Sequence, residues 1–114
     1  MSWDLMIMRL NDDVTMETLP NDFPPIGTSA ELMDIFRSLF PEIIVEKPNH
    51  AFLKETDYSI EFSLGKDEPV KMIILLVHGS GGALRPISEV CRRLNCRALD
   101  CDQGDIIDFE AEGY

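Results

Sequence analysis

Residues 58–77 constrain this chain more than any other stretch. Tyr58, Ile60, Phe62 and Leu64 alternate with Ser59, Glu61 and Ser63, the period-two pattern of a strand with one buried face. Gly65-Lys66-Asp67-Glu68-Pro69 reads as a hairpin loop, and Val70–Val77 returns. The return is apolar on both sides for most of its length, with Val70, Met72, Ile74 and Leu76 on one face and Lys71, Ile73, Leu75 and Val77 on the other. Such a strand belongs inside a sheet rather than at its rim. An antiparallel hairpin therefore seeds the fold, and the rest of the chain must flank and cover it.

Trp3–Leu10 is a second two-sided strand, with Trp3, Leu5 and Ile7 pointing one way and Met6, Met8 and Leu10 the other. Asn11–Gly27 is a long acidic connection, broken by Pro20, Pro24, Pro25 and Gly27 and anchored by Phe23 and Ile26. Thr28 and Glu31 form a capping box. Leu32, Ile35, Phe36, Leu39 and Phe40 then trace one stripe of an amphipathic helix that Pro41 ends. A second helix follows from Leu84, Ile87, Val90, Cys91 and Leu94, with Pro86 in its first turn and Asn95 as its C-terminal cap. Ile43–Glu46 and Ala51–Lys54 are weak short strands, and Arg97–Cys101 and Ile106–Phe109 close the chain around the turn Asp102–Asp105. The last residues, ending in Gly113-Tyr114, are expected to fray.

The expected order is β-α-β-β-β-α-β-β, which counts one of the two short segments between the helices. It describes one α+β domain over residues 1–114, a two-layer sandwich of a mainly antiparallel sheet with both helices on one face. The other face would carry Met6, Met8, Ile73 and Leu75. Either the Asn11–Gly27 connection folds over it, or it pairs with a partner such as a second copy of the chain.

Charge narrows function more than motif does. Of the 21 acids and 10 bases, residues 1–30 hold five acids and one base, and residues 100–114 hold six acids and no base. The middle is nearly neutral. Acidic ends repel nucleic acid and anionic membrane and attract cations. No apolar run reaches the roughly 18 residues a membrane span needs, and Met1-Ser2-Trp3-Asp4 lacks the basic start of a secretory signal. Three cysteines, Cys91, Cys96 and Cys101, read as reduced thiols in the cytoplasm. Their spacing, with His78 as a fourth ligand, does not suit zinc, and no metal or cofactor is expected.

Two groups of candidate residues follow. Asp12, Asp13, Glu17, Asp22, Asp102, Asp105 and Asp108 are the carboxylates expected to meet a basic protein partner. His78, Gly79, Ser80, Gly81 and Gly82, with Arg85, form a glycine-rich turn between a strand and a helix that can present N–H groups to an anion. That turn lacks the lysine of a phosphate loop, and no nucleophile elbow follows it, as an α/β-hydrolase oxyanion loop would require. A turn that merely reverses the chain explains the same glycines. Asp100, Asp102, Asp105 and Asp108 fail as a calcium loop, since Gly104 takes a ligand position and Ala111 stands where the bidentate glutamate belongs. Glu61 is the carboxylate to examine first for acid–base work, but its alternation places it on the wet face.

Ser2-Trp3-Asp4-Leu5, Phe23-Pro24-Pro25-Ile26-Gly27-Thr28, Tyr58-Ser59-Ile60-Glu61-Phe62 and the final Asp100 with Gly104-Asp105-Ile106-Ile107-Asp108 together resemble a group of small bacterial α+β proteins without assigned activity. The closing hairpin is also similar to those of immunity factors in bacterial toxin systems. The resemblance implies a cytoplasmic bacterial protein. With no catalytic constellation in the sequence, the expected function is a non-enzymatic, acidic protein-binding module of inhibitor or immunity type. The alternatives are small-anion binding or a minor enzymatic role at residues 78–82, and a self-associating structural protein.

Overall fold

The computed structural model describes residues 2–79 and 81–114. Its regular elements run β1 (Ser2–Met8), α1 (Ser29–Leu39), β2 (Ile44–Lys47), β3 (His50–Lys54), β4 (Tyr58–Ser63), β5 (Ile73–Gly79), α2 (Leu84–Leu94), β6 (Arg97–Asp100) and β7 (Asp105–Ile106). The strands form one sheet in the order β2-β3-β4-β5-β1-β6-β7, and every neighbouring pair is antiparallel. The chain is thus an α+β fold dominated by its sheet. The two strands read as apolar on both sides, β1 and β5, lie side by side within it.

Register decides which residues face the helices. Leu5 stands opposite Leu75 and Ile7 opposite Ile73, while Phe62 pairs with Leu75 and Ile60 with Val77. These side chains share one core with Leu32, Met33 and Phe36 of α1 and Ile87, Val90 and Leu94 of α2. Both helices therefore cover the same face.

The helix boundaries follow local chemistry. Thr28 Oγ1 accepts the Glu31 N–H at 3.2 Å, and Glu31 Oε1 accepts the Thr28 N–H at 3.0 Å. The backbone bond from Thr28 holds the Glu31 carboxyl below its usual range. Glu68 adds a second carboxylate, taking the Ser29 N–H at 2.8 Å and its hydroxyl at 2.9 Å, where a helix N-terminus favours negative charge. At the end of α2, Asn95 adopts the left-handed conformation. Cys96 N–H then returns to Cys91 O at 2.8 Å and Asn95 N–H to Arg92 O at 3.3 Å, a Schellman motif.

Several expectations need correction. Four strands, not three, separate the helices, because both short segments pair, β2 with β3 and β3 with β4. The β5 strand starts three residues later than its pattern suggests and runs on through His78 and Gly79. Val70 instead forms an isolated bridge to Gly27, which ties down the end of the long connection. Ile73 and Leu75 belong to the helix-covered core, and Ile74 and Leu76 take the open face, since Ile74 stands opposite Met6. The closing strand is only Asp105–Ile106. Tyr114 does not fray; its N–H bonds to Phe109 O at 2.8 Å, and the Arg85 guanidinium lies 5.8 Å from its ring centre.

The fate of the Asn11–Gly27 connection is mixed. Arg97, directly across from Met8, donates to the carbonyls of Asn11 and Val14, each at 2.9 Å. Arg9 likewise holds Pro25 O at 3.1 Å. Met8, an open-face residue, is fully buried at this end. Further along the same face Ile74 stays 43% exposed, so the connection covers one end and leaves the centre bare.

Candidate functional site

The two acidic ends of the chain meet at the β6–β7 edge of the sheet. Arg97 brings this about: its hydrogen bonds to Asn11 and Val14 fix the start of the N-terminal connection beside the C-terminal segment. A groove of about 780 Å³ opens there, between α2 and the chain after β7. Asp12, Asp108 and Glu110 line it together, and Ile107, Phe109 and Tyr114 supply apolar wall. The groove is not uniformly negative, because Arg92 and Arg97 also line it. A neighbouring recess of about 290 Å³ carries Asp105, Asp108 and Glu112 beside Trp3.

Of the seven carboxylates read from the sequence, Asp12, Asp105 and Asp108 share this edge. Asp102 occupies the exposed turn between β6 and β7. Asp13 and Glu17 are exposed beyond Asp12, with Glu17 in a single 3₁₀ turn at Met16–Thr18. Asp22 does not belong to the group. Lys71 Nζ holds both its oxygens at 3.2 Å, and that hydrogen bond, more than any other cause, lowers the Asp22 carboxyl from its ordinary value. Glu110 and Glu112 are edge residues that the sequence reading counted as charge without singling out.

Asp100 is structural. It faces inward, opposite Leu5, and is buried. Its Oδ1 accepts the N–H groups of Asp102 and Gln103 at 2.9 and 3.1 Å, so the carboxylate shapes the turn that displays its neighbours. Asp108 repeats this on a smaller scale, accepting the Ala111 N–H at 3.2 Å. Among the described residues no group of three or more His, Cys, Asp or Glu is arranged to hold a metal ion.

The glycine-rich turn is placed differently from an anion cradle. His78 and Gly79 are the last residues of β5, paired with Ser59 and Tyr58. Gly79 has φ of +106° and packs against the Asp57 backbone, so close strand contact already requires a glycine there. Ser80 lies outside the described residues. Gly81–Ala83 makes a 3₁₀ turn into α2. The surroundings are acidic: burial first, then Glu55, Glu89 and Asp57, push the Tyr58 hydroxyl up. The Arg85 guanidinium is engaged with Tyr114.

Glu61 lies on the open face, as its alternation requires, with His50 Nε2 at 3.8 Å. That is beyond hydrogen-bond range, and His50 stacks instead on Phe52 with ring centres 4.9 Å apart. The pair is a contact between neighbouring strands rather than an acid–base dyad.

The cysteines follow from backbone geometry. Cys91 and Cys96 occupy the two positions of the Schellman motif whose side chains customarily touch, which accounts for their spacing of five. Both are buried; burial pushes the Cys91 thiol up to about 12 and the Cys96 thiol up to about 11. Cys101 is exposed, and slight burial with Asp4, Asp100 and Asp102 also raises its thiol. Titration with an aromatic disulfide reagent near neutral pH should therefore label Cys101 alone, slowly, and reach the other two only in denaturant. Rapid labelling of two or more thiols in the native protein would contradict this packing.

No helix among the described residues is long and apolar enough to cross a membrane. Comparison of the chain with family models, curated proteins and solved structures finds no match in any of the three, so the reading of the site rests on its own geometry.

Proposed function

We propose that the protein is a non-enzymatic binding module that recognises a basic segment of a partner protein at the β6–β7 edge, as an inhibitor or immunity-type protein does. The observation that carries this reading is the convergence of the two acidic chain ends through Arg97 on one groove lined by Asp12, Asp108 and Glu110. Apolar wall from Phe109 and Tyr114 gives such a segment a place for an aliphatic anchor, while these carboxylates steer its lysines or arginines. Arg92 and Arg97 set the register, since a cation of the partner is repelled from them. The free thiols Cys91, Cys96 and Cys101 suit the reducing cytoplasm of a bacterium, which belongs to the same proposal. Anion binding at residues 78–82 is disfavoured by the acids around Tyr58.

The test is capture from a host lysate at about 50 and about 300 mM salt. It compares the wild type with an edge variant (Asp12→Asn, Asp105→Asn, Asp108→Asn, Glu110→Gln) and a control variant neutralised elsewhere (Glu42→Gln, Glu46→Gln, Glu55→Gln, Asp57→Asn). A basic protein should be retained by wild type and control at low salt, be released at high salt, and bind the edge variant roughly tenfold or more weakly. Recovery of no basic protein at low salt, or equal losses in edge and control variants, overturns the reading.

A further inference from the structure

Two thiols and a guanidinium meet where α2 ends. Cys96 Sγ donates to Leu94 O at 3.5 Å, and Arg9 Nη2 donates to the same oxygen at 2.8 Å, so the guanidinium stands beside the sulfur. Burial pushes the Cys96 thiol up to about 11, and the charge and a hydrogen bond of Arg9 oppose that rise. Arg9 Nε is buried and has no other partner among the described residues, so a Cys96 thiolate gives it an acceptor. Cys91 lies within bridging distance. The Cys96 N–H returns to Cys91 O at 2.8 Å, and standard bond lengths then hold the two Cα atoms to at most about 6.7 Å. A disulfide spans Cα separations of about 4.4–6.8 Å, and the Schellman turn brings these two side chains together. We propose that Cys91 and Cys96 are a redox couple that closes to an intramolecular disulfide on exposure to a peroxide, Cys96 reacting first and Cys91 resolving it.

The order of reaction follows from the surroundings. Arg9 stabilises negative charge on Cys96, whereas burial and then Cys96 itself push the Cys91 thiol higher, to about 12. The Cys96 thiolate attacks one peroxide oxygen: an S–O bond forms, the O–O bond breaks, and hydroxide leaves and takes up a proton as water. The sulfur is oxidised to a sulfenic acid and the peroxide is reduced. Cys91 Sγ then attacks Cys96 Sγ: the S–S bond forms, the S–O bond breaks, and the leaving hydroxide takes the Cys91 proton as a second water. Two thiols and one peroxide thus give one disulfide and two waters. Both cysteines line the groove between α2 and the chain after β7. Hydrogen peroxide is far smaller than an aromatic disulfide reagent, so it reaches Cys96 where that reagent does not. Because little thiolate is present near neutral pH, closure takes hours rather than seconds. Cys101, exposed in the turn after β6, takes no part. The couple does not depend on the basic partner proposed above.

The test uses Cys101→Ser, which removes the exposed thiol. After several hours in about 10 mM hydrogen peroxide near pH 8, the protein is unfolded in an alkylating reagent and weighed. It is expected to have lost about 2 Da, to take up no alkyl group, and to yield a peptide linked through Cys91 and Cys96. The order is read with dimedone, which traps sulfenic acids. Cys96 in Cys91→Ser/Cys101→Ser should be captured roughly tenfold or more faster than Cys91 in Cys96→Ser/Cys101→Ser. Two alkylated thiols after peroxide, or a disulfide that forms only once denaturant is added, overturns the couple. Equal capture of the two cysteines, or faster capture of Cys91, overturns the assigned order. Should the variants fail to fold by circular dichroism, peptide mapping of the peroxide-treated wild type decides: a Cys91–Cys96 link supports the proposal, and links through Cys101 alone, or none, overturn it.

Discussion

Replacing Gly79 with alanine is expected to destabilise the protein by about 3–5 kcal/mol. A Cβ built at this position falls 2.3 Å from the Asp57 carbonyl oxygen and 2.7 Å from Tyr58 Cα. Both are backbone atoms of the chain entering β4, so no side-chain rotation relieves the overlap. The positive φ of +106° adds a conformational penalty for any L side chain. Chemical unfolding of Gly79→Ala, with Gly104→Ala beside it, checks this. Gly104 also has positive φ, +71°, but nothing lies within 4 Å of its added Cβ, and its cost should stay near 1–2 kcal/mol. If Gly79→Ala unfolds within about 1 kcal/mol of the wild type, the close approach of β5 to the residues before β4 is wrong. The expectation bears on function as well. A glycine demanded by strand contact is not a sign that the turn after it evolved to hold an anion.

Phe62→Ala is expected to cost about 3–5 kcal/mol. Phe62 is fully buried, and its ring centre lies 4.8 Å from that of Phe36 and 6.1 Å from that of Phe40. One side chain thus joins the middle of the sheet to α1 and to the residue that caps it. Removing the ring leaves a cavity between two layers whose backbones are fixed by their own hydrogen bonds, so little collapse can fill it. Because small domains have only about 5–15 kcal/mol of stability, the variant should melt far below the wild type and lose hydrogen-exchange protection in α1 first. Phe62→Leu keeps more of the volume and should recover a large part of the loss. A Phe62→Ala protein that melts within a few degrees of wild type would mean that α1 does not rest on this part of the sheet.

The legible parts of the sequence were those whose chemistry is local. Thr28 and Glu31 satisfy each other across three residues, Asn95 takes the left-handed conformation of its cap, and the alternation from Tyr58 to Ser63 reports one buried face. None of these depends on what lies across the molecule. The β5 strand was read less well for a physical reason: with apolar residues on both sides, periodicity has no contrast, and nothing local says whether Ile73 or Ile74 faces the helices. The short β2 and β3 strands were weak for a related cause. Their existence depends on pairing with β4 rather than on propensity, which is a poor guide over four or five residues.

The candidate edge divides in the same way. That the chain ends are acidic is written in composition, and so is the lack of positive charge after residue 99. That the two ends meet is not. It requires β1 to insert between β5 and β6, and it requires the Arg97 side chain to reach back 83 to 86 positions along the chain. Asp22 shows the converse. In the sequence it is one more carboxylate of the acidic connection; in the fold Lys71, 49 residues away, removes it from the group.

Sequence by itself determined the two helices and their caps, the buried face of β4 and the total charge, because these arise from composition and from hydrogen bonds and periodicities spanning a few residues. Tertiary structure alone decided which face of β5 is open, which carboxylates stand together and why Gly79 is a glycine. Each of those is set by strand register and by contacts between residues far apart in the chain, and a shift of one residue in register turns every side chain of a strand to the opposite face.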